Sequence, residues 1–444
     1  MFERPCAEQP HGTATPTRSD PKGTESHTAS RWPVGPIDIG AALRPRTPGA
    51  LRPPPPGGRS TPETRNNPVI TLSPTAALRQ RAARLRREGV QVFDFSAGEL
   101  DLPTPAHIVT AAIDAARRPE NHHYGPTGGE TRLRQAIADR LIPRTTTPLD
   151  DSNVLVTHGA KQALFNTFTA LLEPGDEVLI PAPYWVTFPS SVQLAGGSPV
   201  IVQPAAGELK ITPDNLEAAR TPSTRAMVLC SPNNPTGLVY DASELRALLT
   251  WAAKHGVWIV SDETYVDLGF RPIPAPGQVE PGVSDRLITV GSVSKSYAMT
   301  GWRVGWMSGP KQVIDAAAAV QSHTTSNVSR IAQTAALAAL TGPDVTAGFR
   351  AILGDRLKAC QVVLEPLGLF RTPPDGAFYV FPDIRGFAPD DVTVADRLLD
   401  SGVITVPGAS FGAPGHLRLS FAIAEEHLRC GLSTMAELLD GWAG

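Results

Sequence analysis

Three short polar runs, each just beyond a strand-like apolar stretch, carry side chains of this sequence suited to chemistry. Ser231-Pro232-Asn233-Asn234-Pro235-Thr236-Gly237 follows residues 227–230, and Ser261-Asp262-Glu263-Thr264-Tyr265 follows residues 257–260. Gly291-Ser292-Val293-Ser294-Lys295 follows residues 287–290, and Arg303 comes eight residues after the lysine. In an open parallel sheet, ligands settle beyond the carboxyl ends of the strands. These runs therefore bring an amine, a carboxylate, a phenol and a guanidinium to a binding edge, groups able to attack, move protons and hold anions. Singly, each has a structural explanation. Asn-Pro-Thr-Gly is good turn chemistry, an Asp ending a strand can cap the next helix, and a lysine among serines is usually solvated. The arginine in Gly301-Trp302-Arg303-Val304-Gly305 can serve an ordinary ion pair. It is the ordered set that marks a site.

The elements that must position these residues follow from hydrophobic periodicity. Residues 78–89 and 132–141 read as amphipathic helices, the first closed by Gly89. Strand-like runs recur at 153–157, 177–180, 227–230, 257–260 and 287–290, with helical stretches such as 162–172 and 242–255 between them. This alternation predicts an α/β domain with a mostly parallel central sheet covered on both faces. Beyond about residue 341 the pattern becomes a helix, short strands at 377–381, 403–406 and 417–421, and a closing helix over 425–439. That predicts a smaller α+β domain.

Composition bounds the rest. The chain has 444 residues, 41% hydrophobic and 19% charged, with 40 Lys+Arg against 43 Asp+Glu. Such a balance lacks the basic excess that would hold nucleic acid or an anionic membrane. No run of about 18 apolar residues exists to span a bilayer. The four cysteines, Cys6, Cys230, Cys360 and Cys430, form no CxxC pair, so neither a metal site nor a disulfide framework is expected. They read as reduced thiols of a cytoplasmic protein. Residues 1–66 hold thirteen of the 44 prolines, and nine Lys+Arg against six Asp+Glu. Without sustained apolar periodicity they read as a disordered extension, dispensable or the product of a misassigned start.

From about Ser73 onward the sequence resembles the fold-type-I pyridoxal-phosphate enzymes, specifically the class I aminotransferases of the bacterial aspartate/prephenate type. The motifs that carry the likeness are Ser96-Ala97-Gly98-Glu99, Tyr124-Gly125-Pro126, Gly159-Ala160-Lys161-Gln162, Tyr184-Trp185, Asn-Asn-Pro-Thr-Gly, Ser-Asp-Glu-x-Tyr, Ser-x-Ser-Lys and Arg418-Leu419-Ser420. The resemblance implies a large cofactor-binding domain over 104–345 and a small domain built from 67–103 and 346–444. It implies that Lys295 holds pyridoxal 5'-phosphate as a Schiff base and moves the substrate proton. Asp262 would face the ring nitrogen, Asn234 and Tyr265 the ring hydroxyl oxygen, and Trp185 the ring face. Gly159, Ala160 and Lys161 at a helix start, with Ser292, Ser294 and Arg303, would hold the phosphate. Tyr124 would reach the phosphate of a neighbouring subunit, implying a homodimer with shared active sites. Arg418, with Gly98 and Asn234, would take the substrate's α-carboxylate, because a planar guanidinium orients as well as attracts.

Lys161 carries the most information about substrate. A cation in a helix's first turn opposes the helix dipole, so it calls for a nearby anion. The cofactor phosphate could be that anion. In the resembled subgroup, however, a lysine here recognises the distal carboxylate of an acidic substrate, with Thr324, Thr325 and Ser326 as possible contributors from the partner chain. The expected reaction is transamination of an L-amino acid, acidic rather than neutral, with a 2-oxo acid such as 2-oxoglutarate as acceptor. Leu100, where Pro usually follows Gly-Glu, and Ala160, in place of a second glycine, depart from the pattern. They touch the substrate side and the phosphate cup. Two other outcomes compete: a lyase or cyclase acting by β- or γ-elimination on the same scaffold, and a ligand-sensing DNA-binding regulator. The latter needs a helix-turn-helix that proline-broken residues 1–66 do not offer.

Overall fold

Runs of β-branched and large aliphatic residues dominate the segments that pair at the centre of the protein. In the computed structural model, which describes residues 74–388 and 390–441, seven strands form one sheet. They are β1 (Val154–Thr157), β2 (Glu177–Pro181), β3 (Ser198–Val202), β4 (Thr224–Cys230), β5 (Trp258–Asp262), β6 (Leu287–Ser292) and β7 (Gly305–Ser308). Their spatial order is β1-β7-β6-β5-β4-β2-β3. All neighbours run parallel except at β7, which is antiparallel to both β1 and β6. Every residue of β1, β5 and β7 is buried, as strands with both faces covered must be. The predicted extension over 1–66 lies outside the described residues.

The five strands and the helices expected around them are present, with ends shifted by a few residues. The helix Ala242–His255 has the expected bounds. Asp241 caps it, accepting from the amides of Ser243 and Glu244, while Glu244 reaches back to the Asp241 amide. Helix Pro74–Arg87 begins four residues earlier than the apolar spacing indicates, because Pro74 suits a first helical position. Sequence reading did not place β3, β7, or the helices Thr187–Leu194, Lys311–Thr324 and Arg330–Thr341. Four-residue β7 is too short for a period, and the alanine-rich helices lack contrast between faces.

Apolar side chains collect in several clusters. Those around the large sheet draw on residues 108–345. Another joins Phe93 and Phe95 to residues between Leu353 and Leu439, together with Tyr265 and Leu268. Beside this last core lie two small sheets. Phe93–Asp94 pairs in parallel with Val403–Ile404, and Leu417–Ser420 lies antiparallel between Tyr379–Val380 and Val406–Pro407. Among the described residues no helix is long and apolar enough to cross a membrane.

Candidate active site

The predicted residues converge at the carboxyl edge of the large sheet. Asp262 ends β5 and is buried, beside Cys230 in register at the end of β4. Ser292 ends β6 and caps the four-residue helix Val293–Ser296, its Oγ accepting from the Ser294 amide at 2.8 Å. Lys295 lies on that helix, and its Nζ donates to the carbonyl of Gly98. Because β7 runs antiparallel, its first residue, Gly305, pairs with Ser292, so the chain leaving the sheet at β6 comes back to the same edge. This brings Arg303 to the site. Its backbone is left-handed at φ 55°, and its guanidinium donates to the carbonyls of Thr300 at 2.7 Å and His158 at 3.4 Å.

Gly159 precedes helix Ala160–Leu171 with φ 79° and ψ 170°, a conformation open essentially only to glycine. A Cβ there would stand 2.5 Å from Arg303 Nη2. The helix start, which no side chain caps, and the arginine thus form one cradle of backbone amides and a guanidinium, which suits a phosphate. Gly237, at φ 70°, closes the Asn233–Leu238 turn, and a Cβ there would meet Pro374 and the Gly376 carbonyl. That close approach seats Asn234 against the C-terminal segments.

A cavity of about 480 Å³ joins these groups. Lys295, Asp262, Tyr265 and Asn234 line it, with Ser292, Ser294 and Arg303 on the cradle side and Gly98, Ala160, Lys161 and Trp185 beside them; Gly159, also expected here, is not among the lining residues. Lys161 Nζ lies 5.3 Å from the centre of the Trp185 ring, within cation–π range. Arg418 is 2% exposed and stands behind the cavity wall. It donates to Asn234 Oδ1 at 3.0 Å and to the Ser96 carbonyl at 2.8 Å. Tyr124 is not in the cavity wall; it is 89% exposed. Nor do Thr324, Thr325 and Ser326 line the cavity, although the Thr325 hydroxyl accepts from Gln162 Nε2 on the helix that begins at the cradle.

Burial sets the electrostatics. It raises the Asp262 pKa above the usual carboxylate range, an effect partly offset by Thr264, whose amide donates to the carboxylate at 3.0 Å, and by Lys295. Burial, then the neighbouring Tyr379, lifts the Tyr265 phenol well above its ordinary value, so it is a proton donor at neutral pH. The Cys230 thiol is likewise pushed up by burial and by Asp262, and stays protonated.

Several contributors escaped sequence reading. Tyr379 hydrogen-bonds Tyr265, oxygen to oxygen, at 2.9 Å, and its ring lies 4.6 Å from the Arg418 guanidinium. Phe411 flanks the same guanidinium at 5.0 Å. Neither stands in any of the motifs quoted above. Glu99, Thr264, Cys230, Thr300 and Gly301 also line the cavity. The first two sit inside the quoted motifs, where their neighbours drew attention instead.

Comparison with known proteins accords with this geometry. The family model described as "Aminotransferase class I and II" matches residues 90–433. An aspartate aminotransferase of Streptomyces avermitilis is 44% identical over 390 residues, covering 84% of this chain and 95% of that protein. An aspartate/prephenate aminotransferase of Thermus thermophilus is 41% identical over 373 residues, covering 83% of this chain and 96% of its own. A solved structure of an aspartate aminotransferase from Thermus thermophilus with maleate superposes with a TM-score of 0.80, covering 84% of this chain and 98% of the other. With a lysine, a buried carboxylate and a phosphate cradle in one cavity, the chain belongs to the class I and II aminotransferases and is a pyridoxal-phosphate-dependent enzyme of fold type I.

Proposed function

We propose that this enzyme transfers the amino group of an acidic L-amino acid, aspartate, glutamate or a related dicarboxylate, to a 2-oxo acid such as 2-oxoglutarate. The observation that carries this reading is Lys161, a cation on the face of Trp185 in the same cavity as Lys295 and Asp262. A cation there attracts a substrate bearing a second carboxylate and gives nothing to a neutral side chain.

The cavity suits pyridoxal phosphate by its own chemistry. A buried carboxylate is expensive unless it meets a positive group, and Asp262 would meet the protonated ring nitrogen. Tyr265 and Asn234 would hold the ring hydroxyl oxygen, and Trp185 would pack on the ring. The Gly159–Ala160 amides, Ser292, Ser294 and Arg303 would take the phosphate. When bound, the cofactor supplies the electron sink that lets the substrate's α-proton leave. Lys295, on its short helix against Gly98, is the group positioned to accept that proton and return it at a different carbon. Arg418, with its guanidinium 4.6 Å from the Tyr379 ring and 5.0 Å from the Phe411 ring, would take the α-carboxylate alongside Asn234 and the Gly98 backbone.

Two readings of organisation accompany this one. The small domain would comprise 67–103 and 346–444, and the large domain 104–345. Phe93 and Phe95 sharing a core with residues 353–439 supports that division. Tyr124, with its ring in solvent, supports a homodimer in which each copy completes its partner's phosphate site.

Visible absorption of the cofactor-loaded protein tests the reaction. Adding L-aspartate or L-glutamate without acceptor is expected to shift the cofactor band to shorter wavelength and release one equivalent of 2-oxo acid. Release of ammonia with the band unmoved would instead indicate elimination. Lys161→Ser is expected to weaken acidic donors by about tenfold or more, the loss of a hydrogen-bonded charge pair, while neutral donors change little. Equal losses for both classes would return Lys161 to a structural or phosphate role.

A further inference from the structure

Residues 96–104 run from the substrate-binding arginine to the lysine-bearing segment, and they are fastened at both ends. At the first end the Ser96 carbonyl accepts from Arg418 Nη2 at 2.8 Å, while the Ser96 hydroxyl donates to Asp94 at 2.6 Å. At the other end Thr104 donates to the Ala298 carbonyl at 2.6 Å and accepts from Trp302 Nε1 at 3.2 Å. Between them the Thr300 hydroxyl donates to Glu99 Oε2 at 2.7 Å, at the rim of the cavity that Glu99, Thr300 and Gly301 all line. Ala298 adopts φ 52°, a left-handed turn that a non-glycine residue holds only under surrounding constraint, and its carbonyl is the one Thr104 grips.

A hydrogen bond to an ionised carboxylate is stronger than one between neutral groups. Glu99 follows Gly98, whose backbone is assigned above to the substrate carboxylate, so the side chain that anchors this strap adjoins its binding atom. We infer that Glu99 and Thr300 are positioning residues, a latch that holds the Ser96–Thr104 strap in its substrate-binding conformation before substrate arrives.

The energetic consequence is specific. Asp101 stays fixed by its ion pair with Arg356, at 2.7 and 2.9 Å, so without the latch it is the stretch between Ser96 and Asp101 that samples other conformations, and the apparent affinity for substrate falls by the fraction left competent. The complex, once formed, is the same. The latch therefore acts on KM and leaves kcat alone, because the strap's ordering cost moves from folding to binding. This inference rests on the proposed placement of the substrate carboxylate between Gly98 and Arg418.

Thr300→Val removes the donor at constant shape, and Thr300→Ser restores it. In the cofactor-loaded Thr300→Val protein, amides of residues 96–101 are expected to exchange hydrogen faster than in the wild type, with other regions unchanged. Saturating maleate, an unreactive dicarboxylate, is expected to bring them back to the wild-type rate. KM for L-aspartate should rise by about tenfold, the loss of one hydrogen bond to a charged group, with kcat within about twofold. Thr300→Ser should match the wild type in both measurements. Wild-type exchange across 96–101 in Thr300→Val, a fall in kcat with KM unchanged, or loosening spread through the whole protein would each overturn the latch. Failure of maleate to slow exchange in Thr300→Val would instead overturn the dicarboxylate reading, while the comparison of variants without maleate still decides the latch.

Discussion

Asp262 meets two opposed demands at the end of β5. Burial raises its pKa, so in the protein without cofactor the charged carboxylate is held at a cost, and a cationic ring partner turns that cost into binding energy. A carboxyl whose folded-state pKa lies above its unfolded value destabilises the fold at pH values above both. That penalty fades as pH falls through the folded pKa and is gone below the unfolded one. Asp262→Asn is therefore expected to raise the melting temperature of the cofactor-free protein at neutral pH, with the advantage shrinking towards pH 4, while cofactor affinity drops. Calorimetry across pH with and without pyridoxal phosphate measures both; a variant less stable at neutral pH would show that the Thr264 amide and Lys295 overcompensate burial. At this scale the sequence was most informative. Lys295, Asp262, Asn234 and Tyr265 stand after strands, where chemistry is expected, and the structure brings them into one cavity. Tyr379 and Phe411 could not be read this way, because an aromatic beside a buried arginine and an aromatic in a core are written identically.

The elements show why some sequence signals translated and others did not. The capping box at Asp241 is local, needing only residues three apart, and the helix it opens has the bounds the sequence indicated. Asp241→Ala removes an acceptor for two amides and is expected to cost about 0.5–2 kcal/mol of stability, read as a lowered denaturation midpoint with catalytic constants intact. A loss of activity at unchanged stability would mean that this helix start does something besides fold. β7 is the contrary case. Nothing in four residues announces a strand, and its direction follows from pairing with β6 across a short loop and with β1, which is distant in sequence. Pairing between distant segments is a property of the assembled sheet, so the fold class was legible while the antiparallel insertion was not.

For the molecule as a whole, the open question is how many chains make a site. Tyr124 has no place in its own cavity, and the nearby ion pair Arg330–Glu130, at 2.8 Å, fixes the surrounding segment without occupying the tyrosine. If the ring serves a second copy, Tyr124→Ala and Lys295→Ala proteins are each weak alone, and mixed after reversible dissociation they should regain up to about a quarter of wild-type activity. That is the share expected when half the assemblies are hybrids and each hybrid holds one intact site of two. Sedimentation showing a monomer, or mixtures no more active than their components, would end the shared-site reading.

The pairing of Ser292 with Gly305 bears on the order in which the enzyme can be assembled. Lys295 and Arg303 are brought together by closing one short loop, an event of low entropic cost that needs only neighbouring strands of the large sheet. Arg418 belongs to a strand that is synthesised last and settles on a different core. During synthesis the emerging chain thus completes Lys295, Arg303 and the Gly159 cradle well before Arg418, while Tyr265 waits for the C-terminal core and Tyr379 to be set in place.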